Sequence, residues 1–279
     1  MDHILPRSYL EGFTSPSKKG QLSVFDLRGR RWFETGTAGV GAERGFYDYS
    51  PGRFPDQIAD DAFSGLESKF PAVRKELISG GFSGWGAQRE FLLEYAQMLR
   101  VRSRLFREQA VGLAQRSIIA VVEEVVEEPS RTEPGVVRTG LRVKPYVAGD
   151  DAQHKQRLRN ISITRMRSEI AKGAGLFSDL HWCLRLTEDS GHPVVTADQP
   201  VIAVGSTPAL TEDVLLRDPN IWTIFPVCWK ACLIGNRLKA DMEIESFQPS
   251  GLRWLQDQYF RADSGFAYAP SRIAVREWR

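Results

Sequence analysis

Strand-like segments in this chain come in adjacent pairs, set apart from long stretches of helical period, and they do not alternate with helices as a parallel sheet requires. Residues 21–26 and 31–34 flank Leu27-Arg28-Gly29-Arg30, a hairpin with glycine in its loop. Residues 182–187 precede 193–202, and 222–226 precede 231–235, where Pro226 is expected to end its strand. The pattern predicts an α+β architecture, an antiparallel sheet with packed helices, in a single compact domain over 1–279.

The helical segments read from period. Ile58, Ala62, Phe63, Leu66, Phe70, Val73 and Leu77 form one stripe over 55–79, with Glu67 at its edge. Gly80-Gly81-Phe82-Ser83-Gly84 is expected to break the chain before a second helix, 86–109, carrying Phe91, Leu92, Tyr95, Leu99, Arg102 and Phe106. Gln97 and Arg100 lie three apart on that helix, so their side chains share its surface. Residues 117–126 fit strand or helix, and 129–151 read as a loop or insertion. A long helix begins near 152 and another covers much of 245–259. At the N-terminus, Pro6 suits the first turn of a short helix that Gly12 would end.

Between the strand pairs stands Val194-Val195-Thr196-Ala197-Asp198-Gln199-Pro200-Val201-Ile202, an apolar run holding one carboxylate. Residues 182–186 and 194–196 are expected to pair as a hairpin across Ser190-Gly191, leaving Asp198 at the strand end, where Pro200 stops the ladder. A carboxylate among apolar neighbours needs a partner or a shifted pKa.

Composition narrows the function classes. With 42% hydrophobic and 26% charged residues the chain resembles an ordinary globular protein. No apolar run reaches the length of a membrane helix, and the first residues lack the pattern of a secretory signal, so a cytoplasmic protein with no membrane partner is expected. Cys183, Cys228 and Cys232 are an odd set without a CxxC pair and read as small buried hydrophobes. Thirty-seven Lys and Arg against 35 Asp and Glu leave a net charge of +2, which excludes nucleic-acid binding by overall charge alone. A local cluster remains at Arg100, Arg102, Arg104 and Arg107. Internal repeats, Gly-rich phosphate loops, nucleophile elbows and HExxH pairs are absent.

Several separated motifs agree in order and spacing: His3-Ile4-Leu5-Pro6-Arg7-Ser8-Tyr9-Leu10-Glu11-Gly12-Phe13, Glu43-Arg44-Gly45-Phe46-Tyr47, Glu67, Gln97 with Arg100, and Val194 to Val201. In these the chain resembles the bacterial domain of unknown function 4238 family across nearly its whole length. It departs at Ala197, where the family has serine, and at Ile4-Leu5, where it has Tyr-Val. The resemblance implies that these residues travel together and assigns no chemistry to them.

One imidazole, several carboxylates and a guanidinium are too mixed for an apolar core, since unpaired buried charges cost several kcal/mol each. They are expected to converge on a pocket. The first reading is a hydrolase of nuclease or phosphodiesterase type, of the kind used as a toxin or in phage defence. His3, Glu43, Glu67 and Asp198 would be catalytic, and Asp198 with His3 would hold a divalent metal, Mg²⁺ or Mn²⁺. Gln97, Arg100, Tyr9 and Tyr47 would bind substrate, with Arg100 on the phosphate, and the partner would be a nucleic acid or nucleotide. The alternatives are a non-catalytic protein that binds an anionic ligand or a protein partner, and a polar set that serves as a structural ionic network with Asp198 on Arg100.

Overall fold

The computed structural model of the chain describes residues 2–15, 17–18, 20–43, 57–117, 120–129, 137–145, 152–172, 175–187, 193–205, 220–238, 244–246, 248–261 and 265–272. Strand β1 (Asp2–His3) leads through Pro6 into helix α1 (Arg7–Leu10) and a 3-10 turn at Glu11–Phe13. Strands β2 (Gln21–Asp26) and β3 (Arg31–Gly36) form the expected hairpin, whose turn is tied by the Asp26 carboxylate accepting from the N–H groups of Arg28 and Gly29. Strand β4 (Ala42–Glu43) returns to pair with β1, setting His3 opposite Ala42 and Asp2 opposite Glu43. Gly41 makes this approach possible: its φ is +65°, and a Cβ there would stand 2.9 Å from the Leu5 Cβ.

Helix α2 (Gln57–Val101) runs unbroken for 45 residues. The break expected at 80–84 does not occur. Glycine in a helix interior costs about 1 kcal/mol relative to alanine, whereas burying Leu77 and Trp85 on either side contributes about 1.5–3 kcal/mol each. The helix ends two turns earlier than the period suggests. Its backbone turns at 102–103, where Ser103 caps α3 (Arg104–Ser117) by accepting from the Phe106 N–H at 3.2 Å.

Strands β5 (Ala120–Pro129) and β6 (Val137–Pro145) form an antiparallel pair, so part of the 129–151 stretch read as loop is strand. Helix α4 (Ala152–Ile170) and the short α5 (Gly175–Ser178) follow. Next come β7 (His181–Leu186), β8 (Thr196–Ala197), β9 (Ile202–Val204), β10 (Trp222–Cys228), β11 (Ala231–Asn236) and β12 (Ile244–Ser246). Helix α6 (Pro249–Arg261) and strand β13 (Phe266–Ala269) complete the described chain.

Two larger sheets result, in the orders β12-β7-β11-β10-β9 and β3-β2-β13-β8, antiparallel except where β12 joins β7. The architecture is α+β. The expected β7–β8 hairpin is absent: β7 pairs with β11 and β12, and β8 pairs with β13 in the other sheet. Nearness in sequence lost to burial on both faces, because Leu184 fits between Leu233 and Ile244, while Val194, Val195 and Ala197 are all enclosed. Nor does Pro226 end its strand. The β10 ladder runs on to Cys228 through a shift of register between the two residues.

One continuous core joins these layers. At its centre the Phe70 ring of α2 stacks on Tyr95 at 3.9 Å, and Tyr9 of α1 lies 6.4 Å from Phe225 of β10. The α1 helix is thereby held between α2 and the larger sheet.

Candidate functional site

The motif residues divide into three groups, and the first lies in the core. Tyr9 is fully buried; its hydroxyl donates to the Pro226 carbonyl at 2.8 Å and, since a phenol has one proton, accepts from the Thr196 hydroxyl at 2.8 Å. This ties α1 to β10 and β8, and burial pushes the Tyr9 phenol well above its ordinary pKa. Tyr9 thus holds the fold at the position expected to bind substrate. Tyr259 does the same for the second proline, donating to the Pro200 carbonyl at 2.8 Å.

The second group is ionic. Arg100, expected to clamp phosphate, is 1% exposed. Its Nε donates to Gln97 Oε1 at 3.0 Å and its Nη2 to Glu169 Oε2 at 3.3 Å. Gln97 in turn donates to the Glu169 carbonyl at 3.2 Å. Both side chains therefore bind α4, and the Asp198–Arg100 pair expected of a structural network is replaced by Glu169–Arg100. Glu169 was not singled out from sequence, and its position one residue before the end of α4 offered no signal beyond a carboxylate among apolar positions. Arg102 extends the network, donating to Glu67 and to the His3 carbonyl while its guanidinium lies 4.7 Å from the centre of the Phe63 ring. Glu67 and His3 are thus gathered by Arg102. Burial first, then the Arg7 and Arg102 charges, hold the His3 imidazole below its usual pKa, against the opposite pull of Glu67.

The third group borders a cleft of about 40 Å³ lined by Ile4, Gly41, Ala42, Arg104, Asp198 and Phe266, enough for a few waters or a small anionic group. Asp198 follows β8, and its carboxylate accepts from the Tyr268 hydroxyl and, at 3.1 Å, from the Phe266 N–H. Gly265 admits it, since a Cβ there would stand 2.8 Å from Asp198 Oδ2. Burial pushes the Asp198 carboxyl above 3.8, opposed by the Tyr268 hydrogen bond, the Arg104 charge, the Phe266 N–H and Arg28. Tyr268, buried and facing that carboxylate, is raised well above its ordinary value and stays a donor. On the same cleft Arg104 is held by Glu43, Nε to Oε2 at 3.0 Å, and Arg107 takes the other oxygen at 3.3 Å. The α2–α3 turn separates Arg104 from Arg100: one faces the cleft, the other the core.

Of the expected catalytic set, Asp198 lines this cleft and Glu43 reaches it through Arg104, whereas His3 and Glu67 meet at Arg102. Tyr47 lies outside the described residues. Tyr268 and Arg104 were missed as site residues, the first because its link to Asp198 spans 70 positions. Among the described residues no three His, Cys, Asp or Glu side chains gather as metal ligands, and Asp198, expected to hold Mg²⁺ or Mn²⁺ with His3, lines a cleft that His3 does not. No helix among the described residues is long and apolar enough to cross a membrane.

Comparison with curated proteins and with solved structures gives no match. The family described as "Protein of unknown function (DUF4238)" matches residues 2–251, taking in β1 through the start of α6 and with them every motif above. The chain belongs to the DUF4238 family.

Proposed function

We propose that the protein is a hydrolase of phosphodiester or nucleotide substrates whose reacting centre is the cleft between Asp198 and Arg104. One observation carries the reading: a partly buried carboxyl with a raised pKa lines a small cleft whose lining also holds a guanidinium. A carboxyl shifted toward neutrality is suited to proton transfer, and a cation fixed by Glu43 is suited to an anionic oxygen. Tyr268 and the Phe266 N–H position the Asp198 carboxylate, leaving Arg104, rather than Arg100, to meet the phosphate. The cleft admits only the reacting group, so the rest of a substrate would lie across the surface around Ile4 and Ala42.

The test is hydrolysis of bis(p-nitrophenyl) phosphate and of a single-stranded oligonucleotide, each with Mg²⁺, with Mn²⁺ and with EDTA. Asp198→Asn should lower the rate about 10²–10⁴-fold with an unchanged circular-dichroism spectrum. Wild-type protein without turnover under all three conditions, or a folded variant that keeps the wild-type rate, sinks the reading.

A different observation favours a second one. Gln97, Arg100 and Glu67 are consumed in contacts that join α2 to α4 and to β1, which suits a non-catalytic protein that binds an anion at Arg104 and Arg107. Oligonucleotide binding that survives Asp198→Asn, without turnover, distinguishes it.

A further inference from the structure

A second cavity, sharing no lining residue with the Asp198 cleft, opens between the larger sheet and the start of α6. Its volume is about 460 Å³, within the roughly 300–1,000 Å³ of small-molecule pockets. The register explains its walls. Cys183 pairs with Ile234 and Ile234 with Ile224, so Arg185, Ile234 and Trp222, each an even number of positions from that row, share one face. Trp254 of α6 stands opposite, 39% exposed. The lining also takes in Ser250 and Gly251, in the first turn of α6, where main-chain N–H groups have no intrahelical acceptor and no acidic side chain occurs.

We propose that this cavity binds a small planar aromatic molecule carrying one anionic group. Two indoles, Trp222 and Trp254, line the cavity, and stacking of a base on an aromatic side chain changes affinity by roughly 1–3 kcal/mol. Arg185 puts a guanidinium on the lining, suited to a carboxylate or phosphate, and the first turn of α6 adds oriented N–H donors to the same lining. The combination of cavity, two indoles and a cation specifies ring and charge together; none of the three would do so alone. A mononucleotide and an aromatic carboxylic acid share this chemistry. The assignment does not rest on hydrolysis at Asp198.

Titration of the full chain with adenosine 5′-monophosphate, indole-3-acetate, adenosine and inorganic phosphate, followed by tryptophan fluorescence and calorimetry, tests it. At least one of the two aromatic anions should saturate; where the monophosphate does, adenosine should bind at least about tenfold more weakly, and inorganic phosphate should leave the fluorescence unchanged. Saturation by the monophosphate alone marks a nucleotide site, and by indole-3-acetate alone an aromatic-acid site. Trp254→Ala should weaken the saturating ligand about tenfold; so should Arg185→Gln, without altering adenosine. Arg104→Gln should change nothing here, which separates this cavity from the cleft. Failure of both aromatic anions to saturate overturns the proposal, as does affinity that survives both pocket variants with their unfolding curves intact. Adenosine binding as tightly as a monophosphate that saturates removes the anionic requirement and overturns it equally.

Discussion

Arg100 is a buried charge and Asp198 a partly buried one, both on family motifs, yet the protein treats them differently. Arg100 is enclosed, with Gln97 and Glu169 supplying acceptors on two helices, and it borders no cavity among those described. Asp198 has two donors on one side and a cleft on the other, with desolvation outweighing those donors and the nearby cations. A buried charge matched by its opposite fixes geometry, while one left partly unmatched beside a cleft keeps a proton within reach of chemistry. The contrast explains why a motif shared across a family mixes architecture with a candidate site.

Breaking the Arg100 side should produce the largest effect on stability. Glu169→Ala leaves a guanidinium buried without its carboxylate, and urea unfolding should report a loss of about 3–5 kcal/mol. Replacing the pair together, Arg100→Met with Glu169→Leu, should recover most of that loss; a double variant as unstable as the single one would show that the network does more than satisfy itself. Tyr9→Phe comes next. It strands the Thr196 hydroxyl and the Pro226 carbonyl in the core, and the same unfolding measurement should show about 1–3 kcal/mol.

The Asp198 side should respond in pH rather than in stability alone. Because its folded pKa lies above 3.8, the folded protein holds that proton more tightly than the unfolded chain. The contribution of this group to stability is present at low pH and is lost as pH rises from 3.8 through the folded value. Wild type should therefore lose stability relative to Asp198→Asn over that window, and a constant difference between the two would contradict the raised pKa. Tyr268→Phe removes a hydrogen bond that favours the carboxylate, so the acidic limb of any hydrolytic pH profile should move to higher pH. Arg104→Gln should move it the same way by less, and its effect on unfolding should stay under about 1 kcal/mol because the Glu43 pair is half exposed.

Legibility in the sequence followed the range of the interaction. The β2–β3 hairpin was readable because its turn is closed by Asp26 from three residues away at most. The Gln97–Arg100 contact was readable from helical spacing, and it forms. What Arg100 does with its remaining donors was not, since Glu169 stands 69 positions away. Gly80 and Gly81 looked like a stop because glycine weakens an isolated helix, but the preference is about 1 kcal/mol and long-range packing on Leu77 and Trp85 exceeds it.

The sequence by itself determined the α+β class, the positions of most helices and local hairpins, and the family, because helical period, strand pairing in clusters and motif order are local or additive properties of the chain. Only the tertiary structure decided that β8 joins β13 rather than β7, that Asp198 bonds Tyr268 and shares a cleft with Arg104 rather than pairing with Arg100, and that Glu67 and the His3 carbonyl gather at Arg102. Those outcomes depend on which buried charge finds which partner across tens of residues, and desolvation, which sets that choice, acts only once the core has closed.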